Sequence, residues 1–220
     1  LVGSEMCIRD RYVRCGGKMC DQEYKAGVVY LDNAATTRAA DEVAKVVTDI
    51  MLNDYGNPSS KHSKGFDAEK QVKQAAQIIA KTLKCDEKEI LFTSGGTESN
   101  NMAIIESAIA NKRRGNHVIV SSVEHSSVKE PFRYLEENGF NVTYLPVDNR
   151  GLVSVEALKE ALDEETILVS VMLVNNEIGT IEPVEKIGKI VKDYNKDIIF
   201  HVDAVQAFGK VKIAPYREKI

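Results

Sequence analysis

The sequence predicts an α/β protein with a mainly parallel β-sheet covered by helices on both faces. Two observations carry this expectation. From residue 27 onward, short apolar runs alternate with segments of helical period. Several of the runs are apolar at every position, as in Val118-Ile119-Val120 and Ile167-Leu168-Val169. A strand with one wet face alternates apolar and polar residues, whereas a strand apolar throughout needs helices against both sides.

Each element follows from its local pattern. Val28–Leu31 reads as a short apolar strand ending in Asp32-Asn33. Asp41–Asn53 reads as a helix with Val43, Val46, Val47 and Ile50 on one face. Residues 55–60, YGNPSS, form a loop, because Gly, Asn, Pro and Ser interrupt either period. Lys64–Leu83 is a longer helix whose apolar set is Phe66, Val72, Ala75, Ile78, Ile79 and Leu83. Strands at Ile90–Thr93, His117–Ser121, Asn141–Pro146, Ile167–Val174 and Ile198–Val202 then alternate with helices at Glu98–Asn111, Val128–Asn138, Ser154–Ala161 and Val184–Tyr194. There is no internal repeat and no low-complexity tract.

Composition narrows the function classes. The chain has 220 residues, 43% hydrophobic and 28% charged, enough for one ordinary domain or one and a part. A net charge of −4 and the lack of a long basic run argue against a nucleic-acid surface. The short cluster Lys112-Arg113-Arg114 reads as a solvated helix end, where cations complement the dipole. No apolar stretch approaches a membrane span. Cys7, Cys15, Cys20 and Cys85 form no C-x-x-C pair and no zinc-finger spacing, which points to a reducing, cytoplasmic setting without a metal. Residues 1–18 show no sustained period and are expected to be a disordered or non-native leader, with Met19 the more natural start.

The stretch Thr93 to Asn101, TSGGTESNN, stands at a strand-to-helix junction. Paired glycines let backbone N–H groups approach an anion, and the helix N-terminus adds unpaired donors and positive dipole. A phosphate cradle and a plain capped helix both fit this segment. Neither G-x-x-x-x-G-K-[ST] nor G-x-G-x-x-G occurs, so the nucleotide fingerprints are missing.

In parallel α/β sheets, ligands sit at the carboxyl ends of the strands. Those ends deliver Gly96 and Thr97, then Glu124-His125, then Asn175-Asn176-Glu177, then Asp203 with Gln206 three residues on. Each has a plainer reading: His125 as a helix start, Asn175-Asn176 as turn formers, Asp203 as a cap. Together they suit pyridoxal 5′-phosphate (PLP), which has a phosphate, a ring nitrogen, a phenolic oxygen and a flat face.

The strings Tyr30–Thr37 (YLDNAATT), Gly56–Ser60 (GNPSS), Phe92–Asn101 (FTSGGTESNN), Glu124-His125, Val174–Gly179 (VNNEIG) and His201–Gln206 (HVDAVQ) resemble, in order, the cysteine desulfurases of the NifS/IscS type. These are class-V aminotransferase relatives with the PLP-dependent transferase fold of type I. The resemblance implies that Gly96 and Thr97 bind the cofactor phosphate and that His125 stacks on the ring and assists proton transfer. It implies that Asn176 and Gln206 contact the phenolic oxygen and that Asp203 pairs with the ring nitrogen. It further implies conversion of L-cysteine to L-alanine plus an enzyme persulfide, a homodimer, and a sulfur-acceptor or scaffold protein serving iron–sulfur cluster assembly or tRNA thiolation. A selenocysteine lyase, another class-V aminotransferase and a non-catalytic partner are the alternatives. The resemblance divides the chain into an arm at 19–36 associated with a small domain and a partial PLP-binding large domain at 37–220. The family's Schiff-base lysine, in a Ser-x-His-Lys string, and its persulfide cysteine have no match here, so the chain is expected to be the first half of the enzyme and inactive alone.

Overall fold

The structure, a computed structural model, describes residues 2–3, 29–215 and 220. Of the leader at 1–18, only β1 (Val2–Gly3) is described; it pairs in parallel with β2 (Phe92–Thr93). The rest of the leader, like most of the arm at 19–36, lies outside the described residues. Residues 29–32 are not a strand: Val29 and Leu31 are exposed, and an apolar run without a pairing partner has nothing to hold it in a ladder.

Two helices come next, α1 (Asp41–Asn53) and α2 (Ser63–Leu83). The capping follows from sequence. His62 accepts a bond from the Gly65 N–H at 3.3 Å at the start of α2, and Lys84 takes a left-handed conformation (φ 58°) at its end. The apolar faces expected to be buried are not. Val46, Val47, Ile50, Phe66, Val72 and Ile78 are exposed, and α1 has no buried residue. Amphipathic periodicity makes these helices, but the described residues supply no apolar surface against those stripes.

After a single 3₁₀ turn (Glu87–Glu89) and β2, the TSGGTESNN segment opens α3 (Gly96–Asn101). This helix runs through a π-helical stretch (Met102–Glu106) into α4 (Ser107–Asn111). The main sheet follows: β3 (His117–Ser121), α5 (Ser126–Glu137), β4 (Asn141–Leu145), α6 (Val155–Ala161), β5 (Thr166–Ser170), α7 (Val184–Tyr194) and β6 (Ile199–His201). The strand order is β4-β3-β5-β6 and every pairing is parallel.

Every residue of β3 and β5 is buried, as their unbroken apolar runs require. One face of the sheet packs Val118, Val120 and Leu168 against Ile104, Val128, Phe132 and Leu135 of the α3–α5 layer. The other packs Ile119, Val169 and Phe200 against Leu158, Val184, Ile187 and Val191 of α6 and α7. Each such side chain contributes roughly 1.5–3 kcal/mol on leaving water. At the amino ends of the strands, the buried His117 bonds Thr166 through Nδ1 and Thr143 through Nε2, both at 2.8 Å, and so ties β3 to both neighbours.

The chain leaves β3 for β4 on one side, while β5 lies on the other side of β3 and leads on to β6. This reversal places the crevice of the sheet at the carboxyl ends of β3 and β5.

Candidate functional site

Three staples build the floor of the crevice. Glu124, just past β3, accepts from Ser121 Oγ at 2.6 Å and from the Met172 N–H at 2.7 Å through the same oxygen, Oε1. Asn175 donates to the Val123 carbonyl at 2.9 Å and accepts from the N–H groups of Glu177 and Ile178 at 2.9 and 3.0 Å. Leu173 N–H donates to the Asp203 carbonyl at 2.9 Å, which locks the extension of β5 to the end of β6.

Asp203 is buried, 8% exposed, and both carboxylate oxygens are held. Oδ1 accepts from the Val205 N–H at 2.9 Å and Oδ2 from Asn100 Nδ2 at 3.0 Å. The second N–H of the Asn100 amide reaches Ser127 Oγ at 3.0 Å. Ser127 in turn meets His125: its backbone N–H lies 3.1 Å and its Oγ 2.8 Å from Nδ1. A backbone N–H can only donate, so Nδ1 accepts and the ring proton of neutral His125 sits on Nε2. His125 is exposed at the N-cap of α5, so it is at once the helix-start residue and a group open to the crevice.

The expected anion cradle lies beside this carboxylate. The helix that starts at Gly96 places its first unpaired N–H groups there, and Ser99 N–H to the Gly95 carbonyl at 3.1 Å is the first bond of its ladder. A Cβ built on Gly96 would come to 3.3 Å of Val205 Cγ2, so the cradle abuts the segment carrying Asp203. Glu98 folds back onto Ser94, accepting from its N–H at 2.6 Å and its Oγ at 2.7 Å, and these bonds hold its carboxyl below the ordinary range.

The electrostatics are unusual for so small a volume. Burial pushes the Glu124 carboxyl up to about 7 against the pull of its two donors, and Asp203 and Glu182 add to the rise. Glu124 Oε2 is buried without a hydrogen-bond partner among the described residues. Burial also lowers the His201 imidazole to about 4, although the Asp203 charge opposes this. His201, bonded to Ser170 Oγ at 2.8 Å, is therefore neutral at pH 7. No cation among the described residues pairs with Asp203. An acidic, buried carboxylate fixed by two donors and lacking a counter-ion suits a cationic ring nitrogen, and the adjacent cradle suits a phosphate. The donor set therefore fits PLP.

The predicted residues are placed as follows. His125 and Asp203 belong to the network just described, Gly96 abuts the segment carrying Asp203, and Thr97 is exposed in the first turn of α3. Asn176 is half-buried on the turn that Asn175 shapes, and its side chain makes no hydrogen bond among the described residues. Asn175 is thus the turn former of that pair. Gln206 faces the N-terminal arm: its Nε2 donates to the Ala34 carbonyl at 3.0 Å, and Lys210 Nζ lies 3.4 Å from its Oε1. Asn100, Ser127 and the internal bonding of Glu124 were not singled out from sequence. Asn100 does stand one helical turn after Gly96 within the same segment, which is the available signal. No group of acidic, His or Cys side chains among the described residues is arranged to hold a metal, and no described helix is long and apolar enough to cross a membrane.

A parallel sheet with a strand-end crevice, a helix start opened by two glycines and a buried carboxylate is the arrangement of a ligand-binding α/β fold. Residues 29–217 match the class-V aminotransferase family, and the chain belongs to that family. It is 49% identical over 185 residues to the cysteine desulfurase IscS of Clostridium botulinum, covering 84% of this chain and 46% of the relative. Among solved structures, a NifS-like protein superposes with a TM-score of 0.85 at 42% identity, covering 87% of this chain and 53% of that one. A structure of SspA in complex with cysteine superposes with a TM-score of 0.83 at 39% identity, covering 88% and 55%. The chain spans about half the length of the curated relatives it matches.

Proposed function

We propose that this chain forms the cofactor-cradling part of a PLP-dependent cysteine desulfurase acting on L-cysteine. The observation that carries the reading is Asp203: buried, doubly hydrogen-bonded and without a counter-ion among the described residues, next to a helix N-terminus opened by two glycines. The similarity to proteins named as cysteine desulfurases narrows the reaction within the family. Gly96 and Thr97 hold the phosphate with backbone N–H groups and the Thr97 hydroxyl. Asp203 holds the ring nitrogen protonated. Asn176 and Gln206 take the phenolic oxygen, and His125 covers the ring. When bound, PLP supplies an electron-withdrawing ring that stabilises negative charge developing at the substrate α-carbon.

The chain's own residues supply proton handling. His125 carries its proton on Nε2 while Nδ1 accepts from Ser127, so Nε2–H is the donor it offers to the crevice, and a proton is taken up at Nδ1 when the Ser127 N–H lets go. The Gln206–Ala34 bond joins the arm to the segment after β6, in keeping with an arm at 19–36 and a PLP-binding unit at 37–220. The working form is a homodimer that passes sulfur to an acceptor protein. The test is to incubate protein expressed from the complete reading frame with PLP, L-cysteine and a thiol reductant, which releases persulfide sulfur as sulfide, and to quantify alanine and sulfide. Equimolar alanine and sulfur are expected, and cysteine left intact by a PLP-loaded protein would refute the reading.

A further inference from the structure

We propose that Asn100 is a positioning residue that fixes the Asp203 carboxylate for a ring nitrogen and, through Ser127, ties it to His125. The inference rests on the PLP reading above and extends it to two residues outside the direct contact set.

The geometry leaves the amide one role. Asn100 is 4% exposed, and its Nδ2 reaches both Asp203 Oδ2 and Ser127 Oγ at 3.0 Å. Only the NH₂ end of an amide can serve a carboxylate, so the side chain cannot flip without placing a carbonyl against an anion. The plane of the amide is therefore set by two acceptors at once. That plane decides where Asp203 Oδ2 points, because the other oxygen is already held by the Val205 N–H. Ser127 carries the arrangement onward to Nδ1 of His125 at 2.8 Å.

The helix reinforces this placement. Asn100 is one turn beyond Gly96, so the element that offers backbone N–H groups to a phosphate also carries the amide that holds Asp203. The spacing between the anion cradle and the carboxylate is thus set by one helix rather than by two loops. The π-helical stretch begins two residues later, at Met102, and widens the turn against which α5 packs.

A hydrogen bond to a charged group is worth about tenfold or more in binding. The experiment compares two probes that cannot form a Schiff base. One is pyridoxine 5′-phosphate; the other is the same compound with a benzene ring in place of the pyridine. Affinities are read by fluorescence or calorimetric titration of the purified protein. The wild type is expected to prefer the pyridine probe roughly tenfold or more, and Asp203→Asn to abolish that preference. Asn100→Ala is expected to cut the preference at least fivefold while leaving the benzene probe's affinity within about twofold. A merely structural loss would weaken both probes alike. If Asn100→Ala does not fold by circular dichroism, Ser127→Ala carries the test, with a drop of about threefold expected from the freed amide plane. A folded Asn100→Ala, or in its place a folded Ser127→Ala, with wild-type preference overturns the positioning role alone. A wild type without preference overturns both this role and the PLP reading.

Discussion

Glu124 and His201 are both buried and both feel the Asp203 charge, yet they push stability in opposite directions as pH changes. The Glu124 carboxyl is raised from 4.5 to about 7 in the folded chain. Its folded state therefore binds a proton the unfolded state has released, and stability falls as pH climbs from about 4.5 to 7. That displacement corresponds to roughly 3 kcal/mol. His201 is lowered from 6.5 to about 4, so the unfolded state binds the extra proton, and stability falls as pH drops from about 6.5 to 4. This too corresponds to roughly 3 kcal/mol. Between pH 4.5 and 6.5 the two effects offset each other, and this pair leaves stability nearly flat. Glu124→Gln keeps an oxygen for Ser121 and the Met172 N–H but cannot ionise, so the variant should gain roughly 3 kcal/mol between pH 4 and 6.5. His201→Gln should show the reverse, losing a similar amount between pH 4.5 and 7. The assay is urea unfolding followed by far-UV circular dichroism at half-unit pH steps, a fitting probe for a chain without Trp. Curves for wild type and Glu124→Gln that stay parallel from pH 4 to 8 would refute the reasoning.

Three further outcomes follow from packing. Phe132→Ala empties a fully buried site between α5 and the sheet and should cost about 3–5 kcal/mol, visible as a lower urea midpoint with an unchanged slope. At Gly115 an added Cβ would collide with the Glu165 backbone carbonyl, so Gly115→Ala should destabilise far more than Gly139→Ser, which meets open space but at φ 86°; equal midpoints would contradict this. The exposed Val46, Val47 and Ile50 on α1 should drive self-association, and Val46→Lys with Ile50→Lys should lower the sedimentation coefficient or light-scattering mass; an unchanged mass would count against it.

Most of the fold was legible because burial on two faces leaves a blunt mark. The unbroken apolar runs at Val118–Val120 and Ile167–Val169 are the central strands β3 and β5, and the helix over Val184–Tyr194 begins and ends where its apolar period does. Boundaries were less legible where the run outlasts the ladder. The expected strand Ile167–Val174 stays in the ladder only through Ser170; beyond it the backbone keeps separate bonds, from the Val171 N–H to the His201 carbonyl and from the Leu173 N–H to the Asp203 carbonyl, and a bridge from Val174 to Ile181. The faces of α1 and α2 were read correctly as amphipathic, yet periodicity says nothing about whether a partner surface exists.

The site divides along the same line. The sequence by itself determined the chemistry of the strand ends: a glycine pair before a helix, an imidazole, carboxamides and a carboxylate, each placed by residue type and distance from an apolar run. Only the tertiary structure decided which groups face each other. Asn100 and Asp203 are 103 positions apart, and Asn100 and Ser127 are 27 apart. No local period can report such pairings, because they depend on strand order and on the layer of helices above it. Burial is likewise a property of the assembled sheet. It makes Glu124 a weak acid and His201 a weak base, whereas in the extended chain both would titrate as ordinary side chains.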